Sequence, residues 1–223
     1  MFDRIAPRYD MLNRVLSLRR DVAWRRGLAR QLGDLRAIRL LDLATGTGDQ
    51  ILHLLDGGAE IATAVGIDMA GEMLACGREK IARRGLAERV ELREGDATQI
   101  PFGDGTFDAV TITFGIRNVG DVSRVLGEMR RVLRPGGRAL ILEFSLPNGA
   151  LARAIYMCYL RNFLPVIGGW MSGDARAYRY LNRTIEAFPY GEAFCRLMRD
   201  AGFVDVTAMP LTLGVATVYR GTK

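Results

Sequence analysis

The chain is 223 residues long, 49% apolar and carries a net charge of +6, which is enough for one sizeable core of ordinary globular type with room for a helical addition. Three cysteines, Cys76, Cys158 and Cys195, stand far apart with no C-x-x-C pair; they support neither a disulfide framework nor a zinc site, and no metal site is expected. The opening "MFDRIAPRYD" puts charges where a signal peptide needs an apolar centre, and no stretch approaches the roughly 20 apolar residues of a membrane span, so a cytoplasmic setting is the default.

In chain order, the first feature is a basic amphipathic segment. Arg14, Arg19, Arg20, Arg25, Arg26 and Arg30 interleave with Val15, Leu16, Leu18, Val22, Trp24 and Leu28. Such a segment can lie on anionic lipid or nucleic acid, or it can be a solvated helix face with Trp24 in the core. Strand and helix then alternate, the pattern of a parallel sheet covered on both faces. Strands are read at 39–44, 61–68, 90–96, 107–114 and 137–144, with helices at 49–56, 70–84 and 121–134 between them. Asp121 or Ser123 can cap the last of these helices and "RPGG" at 134–137 reads as its end. Residues 150–164 are apolar nearly all round, which a helix tolerates only under cover, either as core or as a lid over a greasy ligand. Two final apolar segments, 203–209 and 213–220, have no helix between them and read as a closing antiparallel hairpin.

The stretch "LLDLATGTGD" at 40–49 carries the chemistry. Leu40, Leu41 and Leu43 form a buried strand, and Gly46 and Gly48 let the backbone turn sharply against a ligand. The dinucleotide fingerprint needs a third glycine where Ile51 stands, and no lysine follows as a phosphate loop requires. In an open parallel sheet the ligand lies at the carboxyl ends of the strands. Gly46, Thr47 and Gly48 close the first strand, Asp68 the second, Asp96 and Ala97 the third, and Thr113 the fourth, ahead of "FGIRNV" at 114–119. Asp68, about 20 residues past the glycines, suits a ribose diol, and Asp96 can accept from an adenine amino group. A ribose acid and an adenine acid without a phosphate loop point to S-adenosylmethionine, whose charge sits on a sulfonium. Asp42 and Asp49 add acid near its methionine end and are candidates to hold its amino group.

The segments "FDRIAPRYDMLNRVLSLRRDVAWRR", "GDATQIPFGDGTFDAVTITFGIRNV", "VLRPGGRALILEFSLP", "YRYLNRTIEAFP" and "LTLGVATVYRGTK" resemble the ubiquinone/menaquinone biosynthesis C-methyltransferase family over nearly the whole chain. Three positions depart from its pattern: Arg19 and Thr45 stand where glycines are common, and Tyr219 where histidine is usual. The resemblance implies an α/β fold of Rossmann-like, doubly wound type, with a seven-stranded sheet closed by the antiparallel hairpin. N-terminal helices precede it and a helical insertion follows strand 5. The parts are then 1–35 (N-terminal helices), 36–147 (cofactor-binding core), 148–188 (helical lid) and 189–223 (last helix and hairpin). Cofactor contacts map onto Thr47, Asp68, Asp96, Ala97 and Thr113, and the neighbouring Gly46, Gly48, Asp49 and Met69 complete the expected cofactor set.

The reaction implied is methyl transfer from S-adenosyl-L-methionine to a ring carbon of a polyprenylated quinol, demethylmenaquinol first and a ubiquinol precursor second. The ring must be reduced to be nucleophilic, and ionising a phenol of reference pKa about 10 costs roughly 4 kcal/mol at pH 7. Arg117 is the candidate phenolate stabiliser, unless it only pairs with an acid such as Asp68 to shape the pocket, and Asn118 is a candidate hydrogen-bond partner that orients the ring or a water. Tyr9, Asp10, Tyr178 and Tyr180 reach the pocket by resemblance, with Tyr9 and Tyr178 the candidate catalytic pair. His53, the only histidine, falls past the turn that faces cofactor and reads as structural. The partners implied are the quinol, a membrane surface on its cytoplasmic face and, as an open option, a second copy of the chain. No nucleic acid is expected: an amino-directed nucleic-acid methyltransferase would carry an Asn/Asp-Pro-Pro-aromatic run where "FGIRNV" stands. A non-catalytic S-adenosylmethionine-binding scaffold at the membrane is the remaining alternative.

Overall fold

The computed structural model describes residues 10, 11, 14, 15, 17, 19–164 and 175–223, without the side chains of 175–180. In chain order these form α1 (Arg20–Gln31), β1 (Ile38–Leu43), α2 (Asp49–Asp56), β2 (Ile61–Asp68), α3 (Gly71–Arg83), β3 (Val90–Glu94) and β4 (Phe107–Thr113). There follow α4 (Val122–Val132), β5 (Leu133–Phe144), α5 (Ala150–Cys158), α6 (Ala175–Ala187), α7 (Glu192–Asp200), β6 (Val204–Leu211) and β7 (Ala216–Thr222). The seven strands make one sheet in the order β3-β2-β1-β4-β5-β7-β6. β1 to β5 run parallel, and β7 pairs antiparallel with both β5 and β6. This is the expected doubly wound arrangement with its closing hairpin.

Strand periodicity divides the core into two. Leu41, Leu43, Val110, Ile112 and Ile141 face one side, where Val125 and Met129 of α4 and Phe194 and Met198 of α7 cover them. Leu40, Ala109, Leu140 and Leu142 face the other, under Trp24 and Leu28 of α1, Ile51 and Leu54 of α2 and Leu74 and Ile81 of α3. Every residue of β4 is buried, as expected for a central strand with helices on both faces. Truncating a residue such as Leu41 to alanine would leave a cavity costing about 2–5 kcal/mol.

Asp121 does cap α4, its carboxylate accepting from the Arg124 N–H at 2.9 Å. The helix end differs from expectation, however. α4 stops at Val132, and "RPGG" belongs to the start of β5. The pairing with β4 jumps from Phe107↔Leu133 to Ala109↔Arg138, so the four residues form an irregularity in a strand and not a helix stop. A Cβ on Gly137 would come within 2.8 Å of the Arg134 carbonyl, which explains the glycine by close approach.

The apolar segment after β5 also departs from a plain helix. α5 ends at Cys158, residues Tyr159–Phe163 form a π-helical turn, and no residue of α5 is fully buried. Leu160 and Leu164 join Leu146 and Ile185 in a small separate cluster, whereas Leu151 and Ile155 are 75% and 63% exposed. The core reading thus holds for Leu160 and Leu164, while Leu151 and Ile155 stand at the surface. The basic N-terminal segment follows the solvated-face reading with Trp24 and Leu28 in the core, but Arg25 is buried with them. Among the described residues, no helix is long and apolar enough to cross a membrane.

Candidate active site

The chain runs outward in one direction through β1, β2 and β3 and in the other through β4 and β5, so the sheet's switch point lies between β1 and β4. A cavity of about 480 Å³ opens there, walled by the residues that follow β1, β2, β3 and β4. Both central strands end in a left-handed residue without the freedom of glycine, Ala44 (φ 48°) and Phe114 (φ 56°). Such conformations cost of order 1 kcal/mol each and persist only where surroundings enforce them. Here the Phe114 N–H donates to the Leu142 carbonyl at 2.8 Å, and the Phe114 ring stacks on Phe144 with centroids 4.4 Å apart. A Cβ on Gly115 would meet that of Ala44 at 2.6 Å, so the two loops touch across the switch point.

The loop after β1 is fixed by an acid from β2. Asp68 accepts from the Gly46 N–H at 2.8 Å through one oxygen and from the Ala70 N–H at 2.9 Å through the other, and each oxygen keeps a lone pair for a ribose hydroxyl. Asp96 accepts from the Thr98 N–H at 2.8 Å, a bond that holds its carboxyl below the usual range. Ala97, Met69 and Thr113 complete this wall. Four residues that line the cavity carry a buried polar atom with no partner among the described residues: Arg25 Nε, Gln50 Oε1, the Thr113 hydroxyl and Asn118 Oδ1. A buried polar atom left unbonded costs about 1–3 kcal/mol, so a ligand that bonds to it gains that much.

Two acids expected at the methionine end are otherwise engaged. Asp42 is 1% exposed and accepts from the Thr45 hydroxyl at 2.6 Å and the Thr111 hydroxyl at 2.5 Å; burial nonetheless pushes its carboxyl up to about 6. Thr45, where the resemblance expects glycine, is thereby a partner of Asp42. Asp49 forms ion pairs with Lys80 and, at 3.3 Å, with Arg14. Burial alone would raise its carboxyl, but Lys80, Arg25 and Arg14 outweigh it and hold it low. The Lys80 ammonium also bonds Asp10 and donates to the Thr47 hydroxyl at 2.9 Å, which in turn donates to Asp10 at 2.8 Å. Thr47 therefore sits in a charged knot that ties the N-terminal segment to α3, a link between residues 70 apart that local sequence cannot disclose.

Arg117 and Asn118 share one 3₁₀ turn, Ile116–Asn118, but only Asn118 lines the cavity. Arg117 pairs with an acid, and that acid is Glu143 of β5 rather than Asp68. The guanidinium Nη1 lies 2.6 Å from Glu143 Oε1 and donates to the Phe114 carbonyl at 2.7 Å. Side-chain exposure is 8% for Arg117 and 0% for Glu143. Sequence reasoning passed over Glu143, whose only local signal is an acid ending an otherwise apolar strand. Nearby, burial raises the Tyr156 hydroxyl far above the usual phenol range, with the Arg117 charge opposing. His53 does not line the cavity; burial lowers its pKa, and its Nδ1 is 3.8 Å from Asp56, which fits the structural role. Tyr219 is buried, and its hydroxyl accepts from the Gly191 N–H at 2.7 Å. Tyr9 lies outside the described residues, as do the side chains of Tyr178 and Tyr180 in α6.

These residues suit a ligand with a diol at Asp68, a hydrogen-bond donor at Asp96 and no phosphate. That is the donor set of S-adenosyl-L-methionine. The profile of the ubiE/COQ5 methyltransferase family matches residues 1–223. A demethylmenaquinone methyltransferase of Thermus thermophilus is 48% identical, with all of both chains covered. A ubiquinone/menaquinone biosynthesis C-methyltransferase of Geobacter sulfurreducens is 47% identical over all of this chain and 87% of its own. The fold is similar to the crystal structure of a SAM-dependent methyltransferase from Aquifex aeolicus, with a TM-score of 0.62, 18% identity and 88% of each chain covered.

Proposed function

The chain belongs to the ubiE/COQ5 methyltransferase family, and from that premise we propose that it methylates a ring carbon of a polyprenylated quinol, demethylmenaquinol first, with S-adenosyl-L-methionine as cofactor. When bound, S-adenosyl-L-methionine supplies an electrophilic methyl group on its sulfonium. Asp68 holds the ribose and Asp96 with Ala97 the adenine, while Gly46 and Gly48 allow the backbone between them to approach. The observation that carries the quinol reading is the pairing in one turn of a buried cation, Arg117, with an unpartnered acceptor, Asn118 Oδ1. A ring hydroxyl donating to Asn118 is oriented, and the nearby positive charge of Arg117 favours its ionised form, offsetting part of the roughly 4 kcal/mol that ionisation costs at pH 7. Glu143 fixes Nη1 of that guanidinium, and its buried Nε has no hydrogen-bond partner among the described residues. Tyr9 and Tyr178 join this group on the strength of the resemblance.

The prenyl tail and the membrane it lives in call for apolar surface. Leu151, Ile155 and Phe163 supply it on the helical segment that follows β5, and we place the membrane contact there. The decisive assay follows label from methyl-labelled S-adenosyl-L-methionine into demethylmenaquinol, into a ubiquinol precursor and into bulk RNA, with and without reductant. Reductant-dependent label in a quinol, with kcat strongly reduced in Arg117→Lys at unchanged cofactor affinity, is expected. Label in RNA alone, or in oxidised and reduced rings equally, contradicts the proposal.

A further inference from the structure

Arg25 is the cation that the cavity wall has spare. Five aspartates line the cavity, Asp10, Asp42, Asp49, Asp68 and Asp96, against a single basic residue among the described ones, Arg25. The side chain is buried, its guanidinium lies 5.3 Å from the centroid of the Phe114 ring, and its buried Nε has no partner. No ion pair of Arg25 occurs among the described residues, although its charge is felt by both Asp42 and Asp49. Neither acid is available to it: Asp42 is held by two hydroxyls, and Asp49 by Lys80 and Arg14. A buried guanidinium without a carboxylate is a site for an anionic group, which it grips best in a planar, two-pronged bond.

The cofactor has one such group. Its sulfonium and ammonium are met by a wall rich in aspartate, and its carboxylate needs a cation. With the ribose on Asp68 and the adenine on Asp96 and Ala97, at the β2 and β3 ends, the amino-acid end is left to the β1–β4 switch point, where Phe114 presents Arg25. We infer that Arg25 is the binding residue for the methionine carboxylate of S-adenosyl-L-methionine. This rests on the cofactor reading and extends it, since the basic N-terminal segment, read from sequence as a solvated face, then contributes a residue to the cofactor site. The Phe114 ring under the guanidinium holds its plane, which also gives the left-handed Phe114 a part in the site.

The test compares binding of S-adenosyl-L-methionine with binding of its decarboxylated form, which differs only in the missing carboxylate, by titration calorimetry on wild type and Arg25→Met. The ratio of the two affinities isolates the carboxylate from every other contact. It should shift by roughly 10- to 100-fold on substitution, the span expected for a charge-assisted hydrogen bond, with affinity for the decarboxylated form little changed. Arg25→Lys, which keeps the charge and loses the fork, should shift it part of the way and serves where the Met variant does not fold. An unchanged ratio overturns the inference, whether or not both affinities fall, because Arg25 would then act only through Phe114 and the general field. Failure of the wild type to bind either compound would overturn the cofactor reading as well.

Discussion

Two fully buried carboxylates stand in the central sheet, one in β1 and one in β5, and the protein treats them in opposite ways. Asp42 receives two threonine hydroxyls and, among the described residues, no ion pair, and its carboxyl is pushed up to about 6. Glu143 receives the Arg117 guanidinium. Hydroxyl donors alone do not replace the hydration of a buried anion, whereas a guanidinium at hydrogen-bond distance does so and becomes fixed in return. The difference runs through the whole cavity. On the β1–β3 side, acids engaged by backbone and hydroxyl donors form a ready-made set of acceptors for a nucleoside. On the β4–β5 side, a held cation, Arg117, and the unpartnered Asn118 Oδ1 await a second molecule.

The contrast can be broken most forcefully at Glu143. Glu143→Gln leaves the Arg117 charge buried without its counter-ion and should cost about 3–5 kcal/mol of stability, read as a lower urea midpoint at unchanged slope. A loss below about 1 kcal/mol would mean that the pair is effectively solvated. Asp42→Asn should do the reverse. The Asp42 carboxyl rises from 3.8 unfolded to about 6 folded, so the folded state holds this proton more tightly. Its contribution to stability is full below pH 4 and lost as pH climbs through 6. The asparagine variant should therefore match wild type near pH 4 and exceed it by up to about 3 kcal/mol at pH 7–8. The other carboxylates titrate alike in both proteins and cancel from the difference. A pH-independent difference would show that Asp42 is solvated.

The smallest stability effect is expected on the α5 surface. Leu151→Ser with Ile155→Ser should change folding stability by less than about 0.5 kcal/mol, as exposed positions do, yet weaken co-sedimentation with anionic phospholipid vesicles several-fold. Undiminished sedimentation would move the membrane contact elsewhere.

Much of this was legible in the sequence. Strands alternating with helices and the acids at successive strand ends required only local periodicity and spacing, and the switch point followed from topology rules. The misreadings came where distant residues decide. "RPGG" carries helix-stop residues, but β4 captures it as the irregular start of a strand. Asp49 looks available until Lys80, 31 residues on, is folded against it. Glu143 looks like any strand-ending acid until Arg117 is brought across the sheet, and Arg25 looks like one more surface arginine in a basic run. Arg19, where the resemblance expects glycine, does adopt a left-handed φ of 60°, so the backbone there keeps the conformation that the usual glycine would suit.

The most direct test of the division between the two sides pairs one substitution from each, Asp68→Asn and Asn118→Ala, and measures cofactor Kd and kcat on reduced demethylmenaquinol for both. The account predicts that Asp68→Asn weakens cofactor binding roughly 10- to 100-fold, whereas Asn118→Ala leaves Kd within about twofold and lowers kcat. Asn118→Ala weakening the cofactor as much as Asp68→Asn, with kcat untouched at saturation, would contradict it: both sides of the cavity would then serve the cofactor, and the quinol would have to bind elsewhere.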